Sequence, residues 1–141
     1  MTQHLFRPRI MICEDEPVIA MDIAAVVESC GCEAVGPFAS AREAIASLKR
    51  QPVQAAILDI DLSDGASTPL ARALRVAGVR MIVLSGLDVN SPPPEFAGVE
   101  WLTKPADERR LRDFCAAAIV TSAVGASGYA RPPEPAMPPA L

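Results

Sequence analysis

Five short apolar runs, each followed by a turn signal or a stretch with helical spacing, constrain this chain more than any other feature. They are Arg9 to Cys13 (RIMIC), Glu33 to Val35, Gln54 to Leu58 (QAAIL), Arg80 to Leu84 (RMIVL) and Val99 to Leu102. RIMIC, QAAIL and RMIVL lack strict apolar–polar alternation, the pattern of strands covered on both faces. Between the first two runs Ile19, Ile23, Val26, Val27 and Cys30 recur on one helical face, and Gly31 ends that helix. Ser40-Ala-Arg-Glu43 has the spacing of a capping box, in which Ser40 accepts from the Glu43 amide and the Glu43 side chain reaches back. It opens a helix to about Arg50. A short helix from Ser67 to Ala77 follows Asp64-Gly65, and Leu111, Phe114, Cys115, Ala118 and Ile119 mark a last one beginning near Asp107. Three consecutive prolines, Pro92 to Pro94, cannot sit inside a helix, because each removes a donor and clashes with the preceding turn. Any fourth helix is therefore short, near Glu95 to Gly98. Such alternation requires parallel strands joined by right-handed crossovers, so the fold class is α/β, a doubly wound five-stranded parallel sheet with helices on both faces.

The length of 141 residues is one domain's worth, and with aromatics at 4 % the core is built from aliphatic side chains. Residues 1–8 read as an N-terminal arm, which includes the lone His4, and 9–121 as the domain. Residues 122–141, with five prolines in twenty, read as a disordered tail. A net charge of -4 with scattered arginines argues against DNA binding. No run reaches the ~18 apolar residues of a membrane span, and the N-terminus lacks the marks of a signal peptide, so a cytoplasmic protein is expected. Cys13, Cys30, Cys32 and Cys115 are too sparse for a disulfide scaffold, and Cys30-Gly31-Cys32 lacks a second ligand pair at zinc spacing. All four read as structural or incidental.

In an open parallel sheet ligands bind beyond the carboxyl ends of the strands. There the chain places Glu14-Asp15-Glu16, then Asp59, then Ser85-Gly86, then Thr103-Lys104-Pro105. Carboxylates ~4 Å apart repel by about 4 kcal/mol at an effective dielectric near 20, so Glu14, Asp15 and Asp59 need a cation among them. An all-oxygen donor set with room for water suits Mg²⁺, and Lys104 adds positive charge for an incoming anion.

These segments, "ICEDEP", "ILDIDLSDG", "IVLSG" and "WLTKP", resemble the CheY-like receiver domain of two-component response regulators in content and order, over about Arg9 to Val120. "DEPVIAMDI" and "EAVGPFASAREAI" also resemble a subgroup of small alphaproteobacterial regulators. The resemblance implies a flavodoxin-like sheet of order 2-1-3-4-5 with a shortened or irregular fourth helix. It implies that Asp59 accepts a phosphoryl group from a sensor histidine kinase or phosphotransfer protein. Mg²⁺ would then be held by Glu14, Asp15, Asp59 and the backbone carbonyl of Asp61, with Lys104 and Ser85 on the phosphate. Ser85 and Trp101 would form the switch, although Trp101 reads equally well as a core ring on the last strand. The chain would not be an enzyme beyond self-catalysed phosphorylation and dephosphorylation of its own aspartate. Its message would leave through a downstream protein target, with the oligomeric state open.

The stretch between Ser85 and Lys104 is shorter than the family's usual one, so residues 87–98 are expected to be mobile and to change order on phosphorylation. The Asp61 side chain either influences attack by water or is merely solvated, Glu16 reads as surface charge, and Asp64 as a turn or helix cap. Two rivals stand. Asp59-Ile60-Asp61 also resembles the start of haloacid-dehalogenase-type phosphatases, which place it on the first strand and need acids after the lysine. A receiver-like binding module without phosphorylation would keep the fold alone.

Overall fold

Residues 7–86 and 93–126 are described by the computed structural model, with side chains described to residue 121. The runs become β1 (Arg9–Cys13), β2 (Glu33–Phe38), β3 (Ala55–Asp59), β6 (Arg80–Ser85) and β7 (Glu100–Thr103). Between β3 and β6 lie two further strands of two residues each, β4 (Asp61–Leu62) and β5 (Gly65–Ala66), which pair antiparallel. The five long strands form one parallel sheet in the order β2-β1-β3-β6-β7. Set aside the small hairpin and this is the expected 2-1-3-4-5. The helices are α1 (Pro17–Ser29), α2 (Ala41–Arg50), α3 (Thr68–Val76) and α4 (Glu108–Ala126).

The missing alternation has a direct cause, since each central strand is buried on both sides. Ile10, Ile12, Ala55, Ile57, Ile82 and Leu84 face a layer completed by α1 and α4 through Ile23, Val27, Leu111 and Phe114. Their neighbours Met11, Cys13, Ala56, Leu58, Met81 and Val83 face the opposite layer, with Leu70 and Leu74 of α3 and Ala44 of α2. Fully burying one such aliphatic side chain contributes roughly 1.5–3 kcal/mol, which makes the sheet rigid where its strands end.

β1 and β2 run in register from Arg9↔Glu33 to Met11↔Val35, then slip to Cys13↔Phe38. Gly36 makes the slip at φ +103°, and a Cβ there would lie 2.9 Å from the Ile12 carbonyl oxygen and 2.9 Å from the Phe38 nitrogen. Both obstacles are backbone. Past the bulge, the Phe38 carbonyl accepts from the Glu14 N–H at 2.9 Å, so the irregularity sets where Glu14 leaves the sheet. Gly36→Ala is expected to cost at least about 2 kcal/mol in urea unfolding, from positive φ plus overlap. An unchanged midpoint would contradict this account of the bulge.

At α2 the Ser40 hydroxyl accepts from the Glu43 N–H at 3.1 Å, as the capping box predicts. The Glu43 side chain reaches back to the Ser40 hydroxyl, its Oε1 accepting at 3.1 Å. The two first free amides of α2 are taken instead by Asp64, which accepts from Ala41 N–H at 2.8 Å and Arg42 N–H at 3.1 Å. Asp64 is thus a helix cap delivered from the β4–β5 turn. These two amides hold its carboxyl below the usual range. A carboxyl depressed in the fold adds stability above its unfolded pKa of about 3.9, and that stability fades as pH falls through the folded value. Asp64→Ala therefore lowers the urea midpoint at pH 7, and the gap to wild type narrows below about pH 4. A gap independent of pH would mean that Asp64 acts by packing alone.

The short fourth helix is a single 3-10 turn, Pro94–Phe96, anchored by the fully buried Phe96. Phe96 meets Trp101 edge-on, with ring centroids 5.5 Å apart and planes at 70°. Residues 87–92 of the segment expected to change order lie outside the described residues, as do 1–6 and 127–141, which hold most of the expected arm and tail. α4 continues to Ala126, so 122–126, expected as the start of the tail, are helical backbone.

Candidate functional site

The site is assembled at the carboxyl ends of β1, β3, β6 and β7. Glu14 follows β1 directly; its side chain is buried and its Oε2 accepts from the Glu16 N–H at 3.0 Å. Pro17 then starts α1 as a first-turn proline, which turns the chain away and leaves Asp15 exposed. Asp59 is the last residue of β3, paired with Leu84 of β6, and only 6 % exposed. Its Oδ1 accepts from the Asp61 N–H at 3.2 Å. Just beyond, Ser67 sends both its hydroxyl (2.9 Å) and its amide (3.0 Å) to the Ile60 carbonyl, which ties the hairpin back onto the strand end.

Lys104 follows β7, and its amide donates to the Ser85 carbonyl at 2.7 Å. The Lys104–Pro105 peptide is cis. From there its Nζ lies 2.7 Å from Asp59 Oδ2 and 2.7 Å from Glu14 Oε1. Ser85, the last residue of β6, is buried at the same edge. Carboxylate oxygens of Glu14, Asp15 and Asp59 all lie within 4.8 Å of one another. Sequence reasoning expected this convergence.

The charges do not balance. Three carboxylates face one ammonium, a formal excess of two negative charges, which is what one divalent cation neutralises. Burial pushes the Glu14 carboxyl up, and the neighbouring Asp59 charge adds to that, against the pull of Lys104 and the Glu16 amide. Burial alone would push Lys104 down, but its hydrogen bond to Asp59 and its ion pair with Glu14 outweigh that and hold it above the usual lysine range. Glu14 Oε1 is fully buried and close to Nζ, yet no donor is aligned for a hydrogen bond to it. A buried, under-used carboxylate oxygen beside two others fits a hard cation with oxygen ligands.

Asp61 touches the niche through its amide while its side chain is exposed. Trp101 lies on β7 opposite Val83 and packs in the layer of α2 and α3, which is its core-ring reading. Sequence reasoning missed the hairpin and Ser67. The hairpin had a signal, since Ser63-Asp64 is a two-residue loop followed by Gly65. Ser67 had none, because a serine before a helix reads as a cap and here it serves the preceding loop. Beside Lys104 a cleft of about 620 Å³ runs between α1 and α4, walled by Ile19, Asp22, Val26, Pro105 and Arg112.

The family described as the response regulator receiver domain matches residues 10–116. Among curated proteins, the chain is 30 % identical over 148 aligned positions to protein-glutamate methylesterase/protein-glutamine glutaminase 1 of Paramagnetospirillum magneticum, covering 94 % of this chain and 38 % of that protein. It is 45 % identical over 60 residues to the phyllosphere-induced regulator PhyR of Methylorubrum extorquens, covering 41 % of this chain and 22 % of that one. The chain thus spans well under half the length of these two relatives. Among solved structures, a CheY-like receiver domain protein from Methanospirillum hungatei superposes with a TM-score of 0.74 at 23 % identity, over 85 % of this chain and 99 % of that one. At that identity it speaks for the fold.

Proposed function

The chain belongs to the response regulator receiver domain family of two-component signal transduction, and on that premise we propose that Asp59 is the residue that takes up the phosphoryl group. One observation carries this reading: a buried carboxylate at a strand end, bonded at 2.7 Å by the Lys104 ammonium and within 4.8 Å of two more carboxylates. An Asp59 oxygen attacks phosphorus, the bond from phosphorus to the donor's imidazole nitrogen or acyl oxygen breaks, and the donor keeps the electron pair. Phosphoryl transfer spreads charge over three equatorial oxygens, so the site's work is positioning and neutralising. An ammonium has three donors; Lys104 gives one to Asp59 and lies 2.7 Å from Glu14, which leaves donor capacity for a phosphoryl oxygen.

The acidic group suits a divalent cation, and we assign Mg²⁺ to Glu14, Asp15 and Asp59 with the Asp61 backbone carbonyl. When bound, it supplies charge neutralisation for the phosphoryl oxygens. Ser85, buried at the same edge, is assigned to the phosphoryl group and, with Trp101, to the switch. Trp101 fluorescence changes on phosphorylation in this reading; an unchanged signal removes Trp101 from it.

A receiver acts as a phosphoacceptor and not as an enzyme on other substrates; self-catalysed gain and loss of the phosphoryl group belongs to the proposal. A histidine kinase or phosphotransfer protein supplies the group, and a downstream protein reads it. We place the chain in the cytosol, where a receiver meets its kinase; among the described residues no helix is long and apolar enough to cross a membrane.

Incubation with acetyl phosphate and Mg²⁺ tests the reading against both rivals. An acid-labile, hydroxylamine-sensitive adduct on Asp59 is the expected result. Repeated turnover of phosphomonoesters means a phosphatase, and neither result means a binding module. The acidic residues at the end of β1, ahead of Asp59, favour the receiver over the phosphatase, whose nucleophile stands on the first strand.

A further inference from the structure

Cysteines widely separated in the chain meet at the end of the α1–α4 layer. Cys30 follows the last residue of α1 and is partly exposed; Cys32, before β2, and Cys115, on α4, are fully buried. All three pack in one layer, where Cys115 has both Cys30 and Cys32 as electrostatic neighbours. The Arg112 guanidinium, one turn before Cys115, sits 3.8 Å from Cys30 Sγ and is itself held by Glu108 at 2.9 Å. Solvent access beside a guanidinium is what makes a thiol reactive, and burial in apolar surroundings is what keeps one inert. Cys30 alone of the three has the first. Burial pushes Cys115 up to about 12 and raises Cys32, so neither opens a reaction with peroxide, and Cys115 acts only on an oxidised sulfur beside it, its proton leaving with the expelled hydroxyl.

We propose that Cys30 and Cys115 are a peroxide-sensitive pair that closes a disulfide from the end of α1 to α4. The Cys30 sulfur attacks one peroxide oxygen, the O–O bond breaks, and water leaves, giving a sulfenic acid. Cys115 then attacks that sulfur and expels its hydroxyl as a second water. Two thiols are oxidised by two electrons and one hydroperoxide is reduced to two waters. The bond joins the two helices that wall the cleft beside Lys104, so the state of the thiols sets how far those walls can part. Cys13, buried in the opposite layer, takes no part. This pairing does not depend on phosphorylation of Asp59.

Hydrogen peroxide treatment of the full chain, then non-reducing peptide mapping, tests it. The expected product is a Cys30–Cys115 linked peptide within one molecule, formed in wild type and Cys32→Ser and lost in Cys30→Ser and Cys115→Ala. A bridge across so long a loop should raise Tm by roughly 10 °C, reversibly with dithiothreitol. Oxidation of Cys30 without a partner, a link between two copies, or a Cys32–Cys115 pair would each overturn the assignment. Mapping of the wild type decides the matter even where a variant fails to fold.

Discussion

Asp59→Asn is expected to take up no phosphoryl group from acetyl phosphate or from a phosphorylated histidine donor. The amide has the carboxylate's shape, so it can still accept from the Asp61 N–H and the end of β3 has no reason to move. It lacks the charged oxygen that we assign to the attack on phosphorus. It also lowers the formal excess in the niche from two negative charges to one, so Mg²⁺ should bind at least about tenfold more weakly. Intact mass after exposure to the donor and calorimetric Mg²⁺ titration report the two effects separately. Uptake at the wild-type rate would remove Asp59 from its role, and uptake at another residue would show where the role belongs.

Lys104→Met is expected to act in opposite directions on metal and on phosphate. Methionine keeps much of the stem and removes the one ammonium that bridges Asp59 and Glu14, 16 % exposed on its side chain. A unit charge at such range interacts by about 1–4 kcal/mol for effective dielectrics between water and 20, so Mg²⁺ should bind tenfold or more tighter. Phosphoryl uptake should fall by about 10²–10³, as it does where one aligned donor to developing charge is lost. In EDTA the variant leaves crowded acids without a counter-charge and should lose about 2 kcal/mol of stability, less than a fully buried pair because water reaches the lysine. Mg²⁺ should restore most of it. Weaker metal binding together with slower uptake would mean that Lys104 organises the pocket instead of competing with the cation.

How far the sequence carried this site depended on whether the signal was local. The three central strands were legible because burial on both faces leaves a run of apolar residues, and each of those runs is followed by a polar residue, Glu14, Asp59 or Ser85, whose place at the sheet edge then followed. Ser40 was legible as a cap because its partner is three residues away. Asp64 was legible as a cap in kind, but not that its helix lay 23 residues back, because nothing between Asp64 and Ala41 encodes the fold that brings them together. Gly36 was silent for the same reason: its φ is fixed by the approach of Ile12 on another strand. The thiols were the largest omission. Counted along the chain they look incidental, and only the packing of α4 onto α1 brings Cys115 to Cys30. Trp101 was legible as a ring on the last strand, while its edge-on partner Phe96 comes from a 3-10 turn, Pro94–Phe96, whose register was not legible in the sequence.

In the proposed function Glu14, Asp15 and Asp59 form one cation site that Lys104 balances in part. Calorimetric titration of Mg²⁺ into the wild type and three variants tests it most directly. One site is expected, weakened alike by Asp15→Asn and Asp59→Asn and tightened by Lys104→Met. The same affinity in all four proteins, or no binding to the wild type, would contradict it.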